Sequence, residues 1–252
     1  MASTLSVILI CHNEAELLAD TLRAVRFADE IVVVDSGSTD GTVEIARSLA
    51  DEVHVTSDWP GFGKQKNRAL EHATSDWVLS IDSDEMVTEA LRDEVLAAIG
   101  QGDHLAYRMP RLSMFLGREV RHSGWWPDYV LRVFRRGDAR FSDDLVHERV
   151  VYDGPVGTLR EPLRHLSYRS MEEVRAKMER YAQAAAESLH AKGRRGGPVI
   201  AAVKSSTAFL RNFVLRRGFL DGRAGWGVAV SAAKGKWRRY MILAALNRGE
   251  RQ

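Results

Sequence analysis

Asp82-Ser83-Asp84-Glu85 sets three carboxylates at the end of the run Trp77-Val78-Leu79-Ser80-Ile81. A run that is apolar rather than alternating reads as a strand buried on both faces. Such a strand delivers the residues after it to the carboxyl edge of a sheet, where open α/β folds bind ligands. Asp82 and Asp84 are two apart, so both side chains leave one face if strand geometry persists. Two convergent carboxylates suit a hard divalent cation and, through it, a phosphate; a plain Asp/Ser turn has the same composition.

Further polar residues follow other apolar runs. Leu5–Ile10 reads as a first buried strand, with His12, Asn13 and Glu14 behind it; Asn13 is expected to cap a helix, with Glu16 in capping-box position. Ile31–Val34 reads as a second strand delivering Asp35 and Ser36, and Asp40 suits the start of the next helix. A short strand is expected over Glu52–Val55. Gly61-Phe62-Gly63 then breaks the chain, and a helix opening at Lys64 places Lys64 and Lys66 for a phosphate or base contact. This β-α-β-α-β-α-β rhythm predicts an α/β fold, a parallel sheet between helical layers. No Gly-x-Gly-x-x-Gly follows the first strand, so the dinucleotide-binding signature is missing. Acidic strand ends suit a base and ribose and leave the phosphates to a metal.

Beyond Asp84, Thr88 is expected to cap a helix carrying Leu91, Val95, Leu96 and Ile99, and Ala106–Arg111 reads as a strand. Trp125 and Trp126 offer faces on which sugar C–H groups stack. Val130–Arg135 alternates apolar and basic residues, with Arg132 directed at phosphate. Ser170, with Glu173 in capping-box position, opens a long helix whose stripe is Met171, Val174, Met178, Tyr181, Ala185 and Leu189.

The 252 residues, 45% hydrophobic and 28% charged, fit an ordinary soluble globular chain of one large domain with an appendage. A single cysteine, Cys11, excludes an intramolecular disulfide and points to a reducing compartment; it reads as strand packing rather than a nucleophile. No signal-peptide pattern opens the sequence, and no apolar run reaches the roughly 18 residues of a membrane span. The net charge of +2 conceals an asymmetry: residues 190–252 hold 14 Lys and Arg against 2 Asp and Glu, a local net of +12. The expected organisation is a catalytic domain over residues 1–190 and a basic helical extension over 191–252, hinged at Lys192–Pro198. Val199–Leu215 reads as a basic amphipathic helix and Lys234–Tyr240 as a second basic cluster with aromatics. Both suit an anionic membrane surface, or packing in a homo-oligomer. Nucleic acid is a poor partner, because no recognition module is present and the rest of the chain is acidic.

Three segments in order, Ser6–Glu14, Ile31–Thr42 and Asp82-Ser83-Asp84, resemble the family 2 inverting glycosyltransferases. Gly61–Asn67, Trp125–Asp128, Arg132–Arg135 and Val146-His147-Glu148 narrow the similarity to the lipopolysaccharide-core β-glucosyltransferase subgroup, over about residues 4 to 190. The resemblance implies the GT-A fold, a nucleotide-sugar-binding sandwich, with Mg²⁺ or Mn²⁺ as cofactor. It implies transfer of a hexose, glucose by subgroup, from a UDP-sugar donor to a glycolipid acceptor, the lipopolysaccharide inner core. The reaction would take place at the cytoplasmic face of the membrane, the enzyme held there peripherally. Glu148 is then the expected base, with His147 either the base in its place or the group that orients it, and Asp143 and Asp144 as alternatives. Asp84 and, by weaker analogy, His165 are the expected metal ligands. His12, Asn13, Glu14, Asp35, Lys64, Lys66, Asp82 and Arg132 are the expected donor-site residues, and Trp125 and Trp126 the acceptor platform. Two rivals remain: a polyprenyl-phosphate sugar transferase and a non-catalytic glycan- or nucleotide-binding protein.

Overall fold

The computed structural model describes residues 3–143 and 148–249. In chain order its elements are β1 (Leu5–Cys11), α1 (Ala15–Ala24), β2 (Glu30–Asp35), α2 (Thr42–Leu49), β3 (Glu52–Val55), α3 (Phe62–His72), β4 (Trp77–Asp82), β5 (Glu85–Met86) and α4 (Glu89–Gln101). There follow β6 (Ala106–Phe115), β7 (Arg118–Glu119), β8 (Asp128–Arg135), β9 (Arg140–Phe141), β10 (Val150–Val151), β11 (Val156–Thr158) and β12 (Leu163–Tyr168). The last helices are α5 (Met171–Ala191), α6 (Pro198–Leu210) and α7 (Gly222–Asn247). Two compact units result: residues 1–111 with 128–165, and residues 112–127 with 166–252.

In the first unit β3, β2, β1 and β4 lie side by side in that order, all parallel, and β8 adds antiparallel to β4. The apolar runs follow from what covers each face. Val7, Leu9, Ile31, Val33, Leu79 and Ile81 pack under Leu18 and Leu22 of α1 and Leu91, Val95 and Ile99 of α4. Their neighbours Ile8, Ile10, Val32, Val34 and Val78 turn the other way, onto Ala69 and Ala73 beside Phe134 and Phe141. Every residue of β1 is buried. Each fully buried aliphatic side chain contributes about 1.5–3 kcal/mol, so both faces drive the strand inward. The parallel register sets Cys11 opposite Asp35 and Ile10 opposite Asp82, which brings β1, β2 and β4 to one carboxyl edge.

Thr88 caps α4 as expected, accepting from Leu91 N at 3.2 Å. The start of α1 differs. The N-cap position is Glu14, whose side chain does not cap the helix, because Asn13 adopts a left-handed φ of 54° and its carboxamide oxygen accepts from Thr39 N at 2.9 Å instead. Asp40 serves both helices, accepting from Thr42 N at 3.2 Å and Ala15 N at 3.3 Å. Leu96, expected in the core, is exposed on α4.

In the second unit Ser170 caps α5, accepting from Glu173 N at 3.1 Å, while the Glu173 carboxylate accepts from Arg169 N at 3.0 Å. The buried positions of α5 are Val174, Ala182 and Ala186, not the whole expected stripe; Met171 and Tyr181 are exposed. Small residues win on this face because they let Ile242 and Leu243 of α7 pack closely. The expected helix over Val199–Leu215 ends regularly at Leu210 and continues as a single wider turn over Arg211–Leu215. Among the described residues no helix is long and apolar enough to cross a membrane.

Candidate active site

At the carboxyl edge of β4 the three carboxylates separate. The strand ends at Asp82, the chain turns through Ser83 and Asp84, and the expected common face of Asp82 and Asp84 is lost. Asp82 Oδ1 lies 2.8 Å from Lys66 Nζ, and Oδ2 lies 2.5 Å from an Arg132 guanidinium nitrogen. Glu85, fully buried, accepts from Arg132 at 2.6 Å and from Asp82 N at 3.0 Å. Arg111 lies 3.6 Å from Glu85 and donates to Asp128 from two nitrogens, at 3.0 and 2.7 Å. Lys66 also reaches Glu148 Oε1 at 2.8 Å. Acids and bases therefore alternate along one chain: Glu148, Lys66, Asp82, Arg132, Glu85, Arg111, Asp128.

This alternation sets the electrostatics. Burial alone would raise the Asp82 carboxyl, but Arg132 and then Lys66 overcome it and hold the group well below the usual carboxylate range. Burial likewise opposes the Arg132 charge, and Asp82 with Glu85 pushes that guanidinium above its ordinary value. A buried ion network of this kind fixes geometry more than it adds stability, since desolvation consumes much of the attraction. A cavity of about 380 Å³ opens on it, lined by Lys66, Asp82, Arg111, Tyr129, Arg132 and Glu148.

Helix α3 positions this cavity residue by residue. Gly61 enters the helix at φ 102°, a conformation glycine adopts without cost. A Cβ on Gly63 would sit 1.8 Å from the Ser142 carbonyl oxygen and 3.5 Å from Glu148 Cβ, so only glycine lets that segment rest on the helix. Gln65 donates to Ser36 Oγ at 3.0 Å and Thr56 Oγ1 at 2.7 Å, tying α3 to the ends of β2 and β3. Asn67 exchanges two bonds with Phe141, at 3.0 and 2.9 Å, which holds β9.

Lys66, expected at a phosphate or base, and Arg132, expected at a phosphate, are both buried and ion-paired to Asp82. Asp35, another expected donor-site residue, sits at the end of β2. Its carboxylate is buried and accepts from Gly37 N at 2.9 Å, Ser38 N at 2.8 Å, the Ser38 hydroxyl and the Cys11 thiol, so it shapes the turn after β2. His12 is exposed on that turn, with Nδ1 3.0 Å from Ser36 O, and Asn13 Nδ2 is 3.2 Å from its Nε2. Glu14 N donates to Thr42 Oγ1 at 2.8 Å. Lys64 stands exposed in the first turn of α3. Trp125 and Trp126 belong to the second unit: Trp125 packs with Phe115 and Tyr168, and the Arg121 guanidinium lies 5.3 Å over the Trp126 ring. His147 and Asp144 lie outside the described residues.

Asp84 keeps a separate partner. Its Oδ2 lies 3.2 Å from Nε2 of His165, which the antiparallel pairing of β12 with β5 sets opposite Glu85. A carboxylate oxygen and an imidazole nitrogen this close are a donor pair that fits Mn²⁺ or Mg²⁺, the nitrogen favouring the transition metal. A second group, Glu52, His54 and His72, brings its ligand atoms within 4.8 Å of one another on β3 and α3.

The chain is similar to several known proteins. An uncharacterized glycosyltransferase of Rickettsia bellii is 31% identical over 260 residues, covering 98% of this chain and 87% of its own. The lipopolysaccharide core biosynthesis glycosyltransferase LpsC of Rhizobium meliloti is 32% identical over 203 residues, 76% of this chain and 73% of its own. Among solved structures, S. aureus TarS 1–349 in complex with UDP aligns with a TM-score of 0.49 at 17% identity, over 98% of this chain and 92% of that one. The profile described as Glycosyl transferase family 2 matches residues 6–164, and with these relatives it places the chain in that family, whose GT-A arrangement the sheet adopts.

Proposed function

We propose that the protein is an inverting hexosyltransferase that uses a UDP-sugar and a glycolipid acceptor, by its likeness to LpsC one of lipopolysaccharide-core type. The observation that carries the reading is the placement of Glu148 with Lys66 and Asp82 around one cavity at the sheet's carboxyl edge.

Inversion is a single in-line displacement. The acceptor hydroxyl oxygen bonds to the anomeric carbon while the bond from that carbon to the diphosphate oxygen breaks, its electron pair leaving with UDP. Glu148 takes the hydroxyl proton as the new bond forms. Lys66 fixes the Glu148 carboxylate through a charge-assisted bond, and Asp82 in turn fixes Lys66. His12 and the turn shaped by Asp35 border the edge where a nucleoside would sit. A divalent ion held by Asp84 and His165 would neutralise charge on the departing diphosphate. The test is UDP-sugar hydrolysis and transfer by the wild-type protein and Asp84→Ala. Loss in the variant supports the transferase; hydrolysis absent from both would leave the non-catalytic reading.

The membrane half of the proposal rests on the second unit. Val199 and Leu215 are 74% and 77% exposed, Trp226 and Trp237 are also exposed, and Lys204, Arg211, Arg216 and Arg217 stand among them. Apolar and cationic groups mixed on a helical surface suit an anionic leaflet. This supports a peripheral location at the inner face of the cytoplasmic membrane.

A further inference from the structure

Within the second unit lies a cavity of about 270 Å³ that the reaction at Glu148 does not use. Phe115, Trp125, Tyr168 and Tyr181 give it aromatic walls, and Lys236 and Arg239 of α7 give it two cations. Phe115, Trp125 and Tyr168 pack against each other with ring centroids 5.8 to 6.3 Å apart, so these walls are set before any ligand arrives.

Among the described residues these cations have no counter-charge. Arg239 Nε is buried without a hydrogen-bond partner, and among the described residues neither Arg239 nor Lys236 makes an ion pair. The nearby carboxylate of Glu179 is engaged by Arg238 at 2.8 Å. Burial lowers the Lys236 ammonium from its ordinary value, and the positive charges of Arg239, Arg211 and Lys204 lower it further. A buried donor without a partner is costly, and a fold that keeps one beside more positive charge gains when an oxyanion enters. Rigid aromatic faces beside the cations suit the C–H faces of a sugar ring.

We propose that this cavity binds a sugar ring carrying an oxyanion, a phosphate or a carboxylate, with Arg239 and Lys236 on the charged group and Trp125 or Tyr168 on the ring. If the protein is the glycolipid transferase proposed above, this is the site for an anionic sugar of the acceptor; the binding itself does not depend on that reading.

The test is equilibrium binding to the full-length protein, without UDP, of glucose 6-phosphate, glucuronate, glucose and inorganic phosphate. One or both anionic sugars should bind saturably and more tightly than glucose and inorganic phosphate, and the better of the two identifies the oxyanion. Arg239→Met should weaken that binding about tenfold, as loss of a charge-assisted bond implies, with Arg239→Lys recovering part of it. Lys236→Met offers an independent variant, and a thermal melt of each confirms folding. Equal affinity for glucose and both anionic sugars would overturn the proposal, and so would unchanged binding in folded Arg239→Met and Lys236→Met. Binding of inorganic phosphate as tight as glucose 6-phosphate would overturn the role of the ring. UDP-sugar hydrolysis by the wild-type protein is measured separately, so its absence removes the transferase and leaves the cavity result standing.

Discussion

Lys66 Nζ lies 2.8 Å from Glu148 Oε1 and is almost fully buried, held by an equal contact to Asp82. A lysine in that position cannot swing out to a substrate without leaving the Glu148 carboxylate and giving up one of the two cations on Asp82. Glu148→Gln keeps the side chain's shape and removes the proton acceptor. The expected result is a fall in kcat of about 10²–10⁴-fold with little change in the donor KM, the usual range for loss of general-base catalysis. Full transfer rates in this variant would move the base to another residue.

Gly63 makes a second point on the same helix. A methyl group there would overlap the Ser142 carbonyl oxygen at 1.8 Å, so the segment carrying Glu148 must move. Gly63→Ala should lower kcat at least about tenfold, since displacement of a reacting group by 1 Å can cost about 10²-fold. Stability should fall by about 1–3 kcal/mol, as for overpacking elsewhere. Kinetics and a denaturant titration together check both numbers.

The parallel strands and their acidic ends are legible in the sequence because burial on both faces writes itself as an unbroken apolar run. Leu5–Ile10, Ile31–Val34 and Trp77–Ile81 all lie in strands of the sheet. What the run does not encode is the partner of each charge. Lys66 and Arg132 look like phosphate ligands in isolation, and only the register of β4 with β8 and the path of α3 set both against Asp82. Gly63 has no chemistry of its own; its role arises from a loop some 80 residues further on, through a contact that spacing alone does not reveal. Glu85, visible as the third carboxylate, proves to be the buried one.

Asp84 and His165 should govern metal affinity. Mn²⁺ binding in the presence of UDP, followed by electron paramagnetic resonance, reads this without reference to turnover. Asp84→Ala should abolish tight binding, and His165→Ala should weaken it about 10–100-fold, by analogy with losses measured at other metal sites. Retention of wild-type affinity in both variants would direct attention to Glu52, His54 and His72, whose ligand atoms also converge.

Asp82 makes stability depend on acid. Its folded-state carboxyl is held below the unfolded value of about 3.9. A depressed carboxyl contributes fully above the unfolded value, and the contribution is lost as pH falls toward the folded one. The Tm of the wild-type protein should therefore drop between about pH 5 and pH 3, a window set by that unfolded value. Asp82→Asn should melt lower at pH 7 and show a shallower drop across this window. An identical slope in both proteins would assign the acid sensitivity to other carboxylates.

Cys11 closes β1 opposite Asp35, and its thiol lies 3.5 Å from the Asp35 carboxylate. Burial pushes the thiol far above its ordinary value, and the negative charge of Asp35 pushes it further, so it stays protonated at any working pH. The thiolate is the reactive species, and here it is suppressed both by access and by charge. Native protein should therefore react with a disulfide reagent at pH 8 no faster than it unfolds, whereas protein in denaturant reacts at once with one equivalent, the sequence having one cysteine. Comparing the labelling rate with the unfolding rate across denaturant separates the cases. Labelling much faster than global unfolding would mean that the ends of β1 and β2 open locally, and that the turn held by Asp35 is mobile.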